Sequence, residues 1–243
     1  MKLRISLIIQ LAFAFLYTRE IYAQDCPKVG RYHDRNCDGE IRIVFTGDSL
    51  VFGIGDSANK NKGGYVLRVG KKLKGVIVDN LGVPGIASDE LLALIEAGFS
   101  DSPTKKEKAF ADAILKADVV VIDLGRNDYF REDRERTIEE TFGYLRDINS
   151  YIKKAVSDND AVAPYVVQAV LMQPNRTDQG IYIKALNSLI FRSNSSNFPA
   201  DLRFDSVSKR LLSSDQIHPT PKGYDAIARV FVQYFDKKIA PKL

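Results

Sequence analysis

The 243 residues include 45% hydrophobic and 27% charged side chains, the balance of a globular chain, which excludes a disordered, collagen-like or polytopic membrane protein. The formal charge of +4 arises from 35 cations and 31 anions scattered along the chain. No basic stripe follows from that pattern, so nucleic acid is not an expected partner. At this length one α/β domain is expected.

Lys2 and Arg4 precede a run from Ile5 to Tyr17 broken only by Ser6 and Gln10, and Ala23 supplies a small residue at a cleavage position. This predicts a secretory signal peptide over residues 1–23 and an exported chain, periplasmic or secreted. The run is shorter than the about 20 apolar residues of a spanning helix, so no membrane span is expected. Residues 1–23 hold three cations and one anion, a net +2, and half of the basicity leaves with them. Residues 24–40 form an extension carrying Cys26 and Cys37, a disulfide candidate in an oxidising compartment. Cys26 as a lipid acceptor is the lesser alternative, since Asp25 stands where lipoproteins usually place a small residue.

From residue 41 to 240 short β-rich runs alternate with helical periods, the signature of a parallel sheet covered by helices. Strands are expected over Ile41 to Phe45, Val76 to Asp79, Val119 to Leu124 and Tyr165 to Leu171, with a weaker fifth near Leu202 to Phe204. Ser88 announces a helix ending near Gly98, and Thr104 with Glu107 forms a capping box leading toward Ala117. Ile138, Phe142, Leu145, Ile148, Ile152 and Val156 make one apolar helical stripe, which is core. Further helices are expected over Ile181 to Phe191 and from Pro221, suited to a first helical position, to Phe235.

The strand ends carry the chemistry, because an open α/β sheet gathers its ligands where loops leave the carboxyl edge. The first strand runs into Gly47-Asp48-Ser49-Leu50, which places Ser49 at a tight strand-to-helix turn, a nucleophile's position. The second ends in Asn80-Leu81-Gly82-Val83-Pro84-Gly85, where Gly85 can bring a bare N–H close to a bound oxygen. The third ends in Gly125-Arg126-Asn127-Asp128, whose Asn127 amide is another donor. Asp215 precedes His218 by three residues in Asp215-Gln216-Ile217-His218-Pro219.

In these four blocks, and in their order, the chain resembles the GDSL or SGNH hydrolases, esterases and lipases. The resemblance implies a flavodoxin-like three-layer α/β/α sandwich with a mostly parallel five-stranded sheet. It also implies Ser49 as nucleophile, His218 as base oriented by Asp215, and an oxyanion hole from Ser49 N–H, Gly85 N–H and the Asn127 side chain. The chemistry is coherent: a serine hydroxyl needs an imidazole to take its proton, and a carboxylate fixes the imidazole's tautomer. No cofactor or metal is expected; Cys26, His33 and Cys37 match no standard metal spacing.

The repeated Gly55-Asp56-Ser57 follows no strand, so Ser57 is not the expected nucleophile. Arg126 stands where the family often has a small or aliphatic residue; it either points outward or meets an anionic group of the substrate. The alternating charges of Asp123, Arg126, Asp128 and residues 131–136 read as a solvated loop with ion pairs of little net worth, or as a lid. The leading expectation is an exported serine hydrolase acting on a small-molecule, lipid or carbohydrate ester. Acyl transfer to a carbohydrate hydroxyl and a non-catalytic binding or adhesion module are the alternatives, and the oligomeric state is not readable.

Overall fold

The computed structural model describes Cys26, residues 28–130 and residues 136–243. The signal-peptide expectation over 1–23 and the charged positions 131–135 lie outside those residues. The described chain begins with a short antiparallel hairpin, β1 (Lys28–Val29) and β2 (Tyr32–His33). Five parallel strands follow: β3 (Arg42–Gly47), β4 (Ile77–Gly82), β5 (Val119–Asp123), β6 (Tyr165–Val170) and β7 (Leu202–Arg203). Their order across the sheet is β4-β3-β5-β6-β7. The expected strands all form, and the first two run past Phe45 and Asp79, to Gly47 and Gly82, through pairing across Thr46↔Leu81 and Gly47↔Gly82.

Among the described residues seven α-helices accompany them: α1 (Ser49–Phe52), α2 (Gly64–Lys72), α3 (Ser88–Gly98), α4 (Lys105–Leu115), α5 (Ile138–Asp158), α6 (Thr177–Arg192) and α7 (Pro221–Tyr234). Alternation along the strands sorts them into two layers. Ile43 and Phe45 of β3 face a cluster containing Tyr65, Val66 and Val69 of α2 and Tyr224, Ile227 and Phe231 of α7. Val44 faces the opposite cluster, built from Leu91 and Ile95 of α3, Phe110 and Ile114 of α4, the α5 stripe, and Ile183 and Leu186 of α6. Each fully buried side chain of this size contributes roughly 1.5–3 kcal/mol by leaving water. The result is the three-layer α/β/α sandwich expected from the resemblance.

The helix starts follow their capping chemistry. Thr104 accepts from the Glu107 N–H while the Glu107 carboxylate accepts from the Thr104 N–H, as the sequence predicts. At α3 the cap is Ala87 and Ser88 is the first helical residue, so the helix begins one position earlier than a Ser88 cap would place it. The Ser88 side chain is engaged elsewhere, by Asp128.

Chain order and sheet order together set the site. After β3 the chain adds β4 on one side, then crosses to β5 on the other, so the crevice at the carboxyl ends of β3 and β5 is a topological switch point. The extension packs at the opposite, amino edge. Asp118, before β5, accepts hydrogen bonds of 2.8 Å from the N–H groups of both Arg35 and Arg42. The Tyr32 ring meets Phe235 edge-on at 5.4 Å, and Cys26 and Cys37 are joined by a disulfide.

That cross-link closes a loop of sequence separation 11. Replacing both cysteines by serine should lower unfolding free energy by about 2–3 kcal/mol through the unfolded chain's regained freedom. Urea denaturation measures it; an unchanged midpoint would show that the bond constrains nothing the fold depends on.

Candidate active site

The turn after β3 is built by its own side chains. Asp48 caps α1, its Oδ1 accepting from the Leu50 N–H at 2.9 Å, and Ser49 is the first residue of that helix. Asn80 of β4 steadies the other end, its amide donating to the Val51 carbonyl at 2.8 Å. The Ser49 hydroxyl thereby meets an imidazole 169 positions along the chain: His218 Nε2 lies 2.8 Å from Ser49 Oγ. On the far side of the ring, His218 Nδ1 lies 2.6 Å from Asp215 Oδ2. The other carboxylate oxygen, Oδ1, accepts from the Ser213 hydroxyl and from the N–H groups of Ile217 and His218, at 2.8 to 2.9 Å.

These contacts decide the charge of Asp215. Partial burial pushes its carboxyl up, but hydrogen bonds from the His218 ring, the His218 and Ile217 N–H groups and the Ser213 hydroxyl hold it well below the usual carboxylate range. Asp215 is an anion against the ring, and with Nδ1–H donated to it, Nε2 is left to accept a proton from Ser49.

The two donor candidates stand across the same space. Gly85 adopts φ +82° with nothing within 4 Å of where a Cβ would be, a left-handed turn on an open face. The Asn127 amide donates to the Ile86 carbonyl at 2.9 Å, which fixes one of its two N–H bonds and thereby the direction of the other. Ser49, Gly85, Asn127 and His218 all line one cavity of about 260 Å³, with an apolar wall from Leu50, Ile54, Pro84, Phe130 and Ile217. The five residues expected from the sequence therefore come together. Ser57 does not join them: it is exposed, while the preceding Asp56 is buried and paired with Arg68 Nη1 at 2.5 Å. His33 is exposed in the hairpin.

One expectation is corrected. Asp123, Arg126, Asp128 and Arg136 do not form a solvated loop; all four are buried. Arg126, 2% exposed, does not point to solvent: its guanidinium reaches Asp123 at 2.8 Å and Asp48 at 3.2 Å, its Nε donates to the Met172 carbonyl at 3.3 Å, and the residue also lines the cavity beside Ser49 and Asn127. Burial alone would lower its pKa, but the two carboxylates outweigh burial and raise it. Asp128 accepts from the Ser88 N–H and hydroxyl and from Arg136 Nη1 at 2.8 Å, holding the turn that carries Gly85 against the loop that carries Asn127. Alternating charge sign is the same letter pattern whether the groups are exposed or buried, so sequence alone could not separate the two.

Among the described residues no group of three or more His, Cys, Asp or Glu could hold a metal ion, and no helix is long and apolar enough to cross a membrane.

Comparison with known proteins bears on the family and the fold. The model of the GDSL-like lipase/acylhydrolase family matches residues 45–226. The uncharacterized protein YpmR of Bacillus subtilis is 24% identical over an alignment covering 100% of both chains. A lipolytic protein of the G-D-S-L family from Veillonella parvula superposes with a TM-score of 0.61 at 14% identity, over 81% of this chain and 99% of that one. A lipase/acylhydrolase from Enterococcus faecalis gives 0.59 at 22%, over 84% and 99%. A carbohydrate esterase family 3 protein from Talaromyces cellulolyticus gives 0.60 at 16%, over 84% and 99%. The solved structures share the fold.

The depressed pKa of Asp215 makes a direct prediction. A carboxylate held below its unfolded value contributes stability that is complete above that value, about 3.9, and is lost as pH falls below it. Carbon-13 NMR of aspartate-labelled protein should therefore show Asp215 with no titration step near pH 4. A step there would mean that these hydrogen bonds do not hold the carboxylate below its ordinary range.

Proposed function

The chain belongs to the GDSL-like lipase/acylhydrolase family, and from that premise we propose that it is a serine hydrolase that cleaves carboxylic esters through an acyl-enzyme on Ser49. The observation that carries this reading is the continuous line Ser49 Oγ, His218 Nε2 at 2.8 Å, and His218 Nδ1 to Asp215 Oδ2 at 2.6 Å. Residues 169 positions apart meet in that line at the edge where the fold gathers its loops.

The geometry supports the following sequence of steps. With an ester carbonyl in the cavity, His218 Nε2 takes the Ser49 proton as Oγ attacks, and Asp215 stabilises the imidazolium that forms. The carbonyl oxygen becomes an oxyanion facing Ser49 N–H, Gly85 N–H and the Asn127 amide, whose directions are set before substrate arrives. His218 then gives its proton to the departing alkoxide, leaving the acyl group on Ser49. Water, deprotonated by the same imidazole, attacks the acyl-enzyme and releases the acid.

The cavity is lined also by Arg126 and Gln179, which are engaged within the protein, and its apolar wall of Leu50, Ile54, Pro84, Phe130 and Ile217 is suited to an acyl chain. The substrate class is accordingly an ester with an apolar acyl part, on a lipid, carbohydrate or small-molecule alcohol. We further infer that the protein works after export, with residues 1–23 removed. The Cys26–Cys37 bond supports that reading, since such bonds persist in oxidising compartments.

Hydrolysis of a series of 4-nitrophenyl esters tests the assignment. Ser49→Ala and His218→Ala should each lower kcat by roughly 10⁴ or more, and Asp215→Asn by roughly 10²–10⁴. Asn127→Ala should cost about 10²–10³, while Ser57→Ala should match wild type. Retained turnover in Ser49→Ala, or its loss in Ser57→Ala, would refute the proposal.

A further inference from the structure

Among the described residues the most heavily buried ionic group lies beneath the site. Arg126 sits between Gly125 and Asn127, lines the inner part of the cavity, and is buried at the sheet edge. There it ties three strand ends together. One nitrogen reaches Asp48, next to Ser49 after β3; another reaches Asp123, the last residue of β5; Nε donates to the Met172 carbonyl just past β6. The surrounding groups complete the arrangement. Tyr65 of α2 donates its hydroxyl to Asp123 Oδ2 at 3.1 Å, and the Gln179 amide of α6 donates to the Arg126 carbonyl at 3.2 Å.

The division of labour at Asp48 gives this cluster a specific role. One oxygen of Asp48 caps α1 through the Leu50 N–H, and the other is held by Arg126. Rotation of that carboxylate would turn the first residue of α1, which is Ser49. The loop on the other side of Arg126 carries Asn127 and, through the Asn127–Ile86 and Asp128–Ser88 contacts, the Gly85 turn. The guanidinium thus joins the nucleophile's turn to the oxyanion donors' loop. An arginine suits the task because its planar fork fixes direction, whereas a lysine ammonium is a point charge on a flexible stem.

We propose that Arg126 is a positioning residue for ester hydrolysis: through Asp48 and Asp123 it sets the separation between Ser49 and the Asn127 amide, and so the fit of the oxyanion hole to the transition state. This rests on the serine-hydrolase reading above. The Arg126 guanidinium is already engaged by Asp48 and Asp123, so its effect is expected in kcat rather than in KM.

A double-mutant cycle on 4-nitrophenyl butyrate separates positioning from general stability. Arg126→Lys keeps the buried charge and loses the fork. It should fold, leave KM within about threefold and lower kcat by roughly 30- to 100-fold. In an Asn127→Ala background the same substitution should cost less than about fivefold, because the donor it places is already gone. Wild-type kcat in Arg126→Lys, a loss confined to KM, or an equal penalty in both backgrounds would overturn the proposal. Should Arg126→Lys fail to fold, Arg126→Met combined with Asp48→Asn and Asp123→Asn removes the charges together and is put through the same cycle. If that variant also unfolds, the cluster is a stability device and the positioning role is wrong. Full activity of Asn127→Ala or Ser49→Ala alone would instead refute the hydrolase reading, whatever Arg126 does.

Discussion

At its carboxyl end β3 lies between β4 and β5 with Gly47 opposite both Gly82 and Asp123, and a Cβ at Gly47 would stand 2.1 Å from the Asp123 carbonyl oxygen. This close approach lets the strand turn sharply enough for Asp48 to cap α1 and for Ser49 to open it. It also sets Asp48 and Asp123 near enough to share one guanidinium. Parallel pairing then does the rest, since every loop that leaves this edge leaves in the same direction. Residues far apart in sequence are brought together by topology rather than by any local motif.

The electrostatics divide into two parts with opposite character. On the open side, Asp215 is partly exposed and kept ionised by hydrogen bonds, a charge that water screens and that orients the imidazole without being sealed in. Beneath the floor, Asp48, Asp123 and Arg126 are cut off from water. Burial raises the pKa of Asp48, Arg126 opposes the rise and Asp123 adds to it. Such a group contributes little net stability compared with apolar packing, because desolvation offsets most of the attraction. Its value lies in direction: a forked cation between fixed carboxylates admits few geometries, and the site above inherits that restriction.

Much of this was legible in the letters. The α5 stripe, the Thr104–Glu107 box and the Val- and Ile-rich strands each follow from local physics that tertiary structure did not override. The candidate site residues were legible because strand ends are where such chemistry collects, and the four blocks stand there in order. Other features were hidden. Helix α2 carries glycine at its start and in its body and valine between, all of low helix propensity, and forms because Tyr65, Val66 and Val69 bury against the sheet. The floor of Arg126 and Asp128 was invisible because burial is not written in charge order. The extension's hairpin has two residues per strand and is held by Tyr32 and the disulfide rather than by any strand propensity.

The central claim is that a single hydroxyl, that of Ser49, carries the acyl group. The most direct measurement is peptide mapping by mass spectrometry after reaction with a fluorophosphonate, which bonds irreversibly to a serine activated by an imidazole. The account predicts one adduct, on the peptide containing Ser49, absent from His218→Ala. An adduct on Ser57, or unmodified Ser49 in protein whose ester hydrolysis the reagent has abolished, would contradict it.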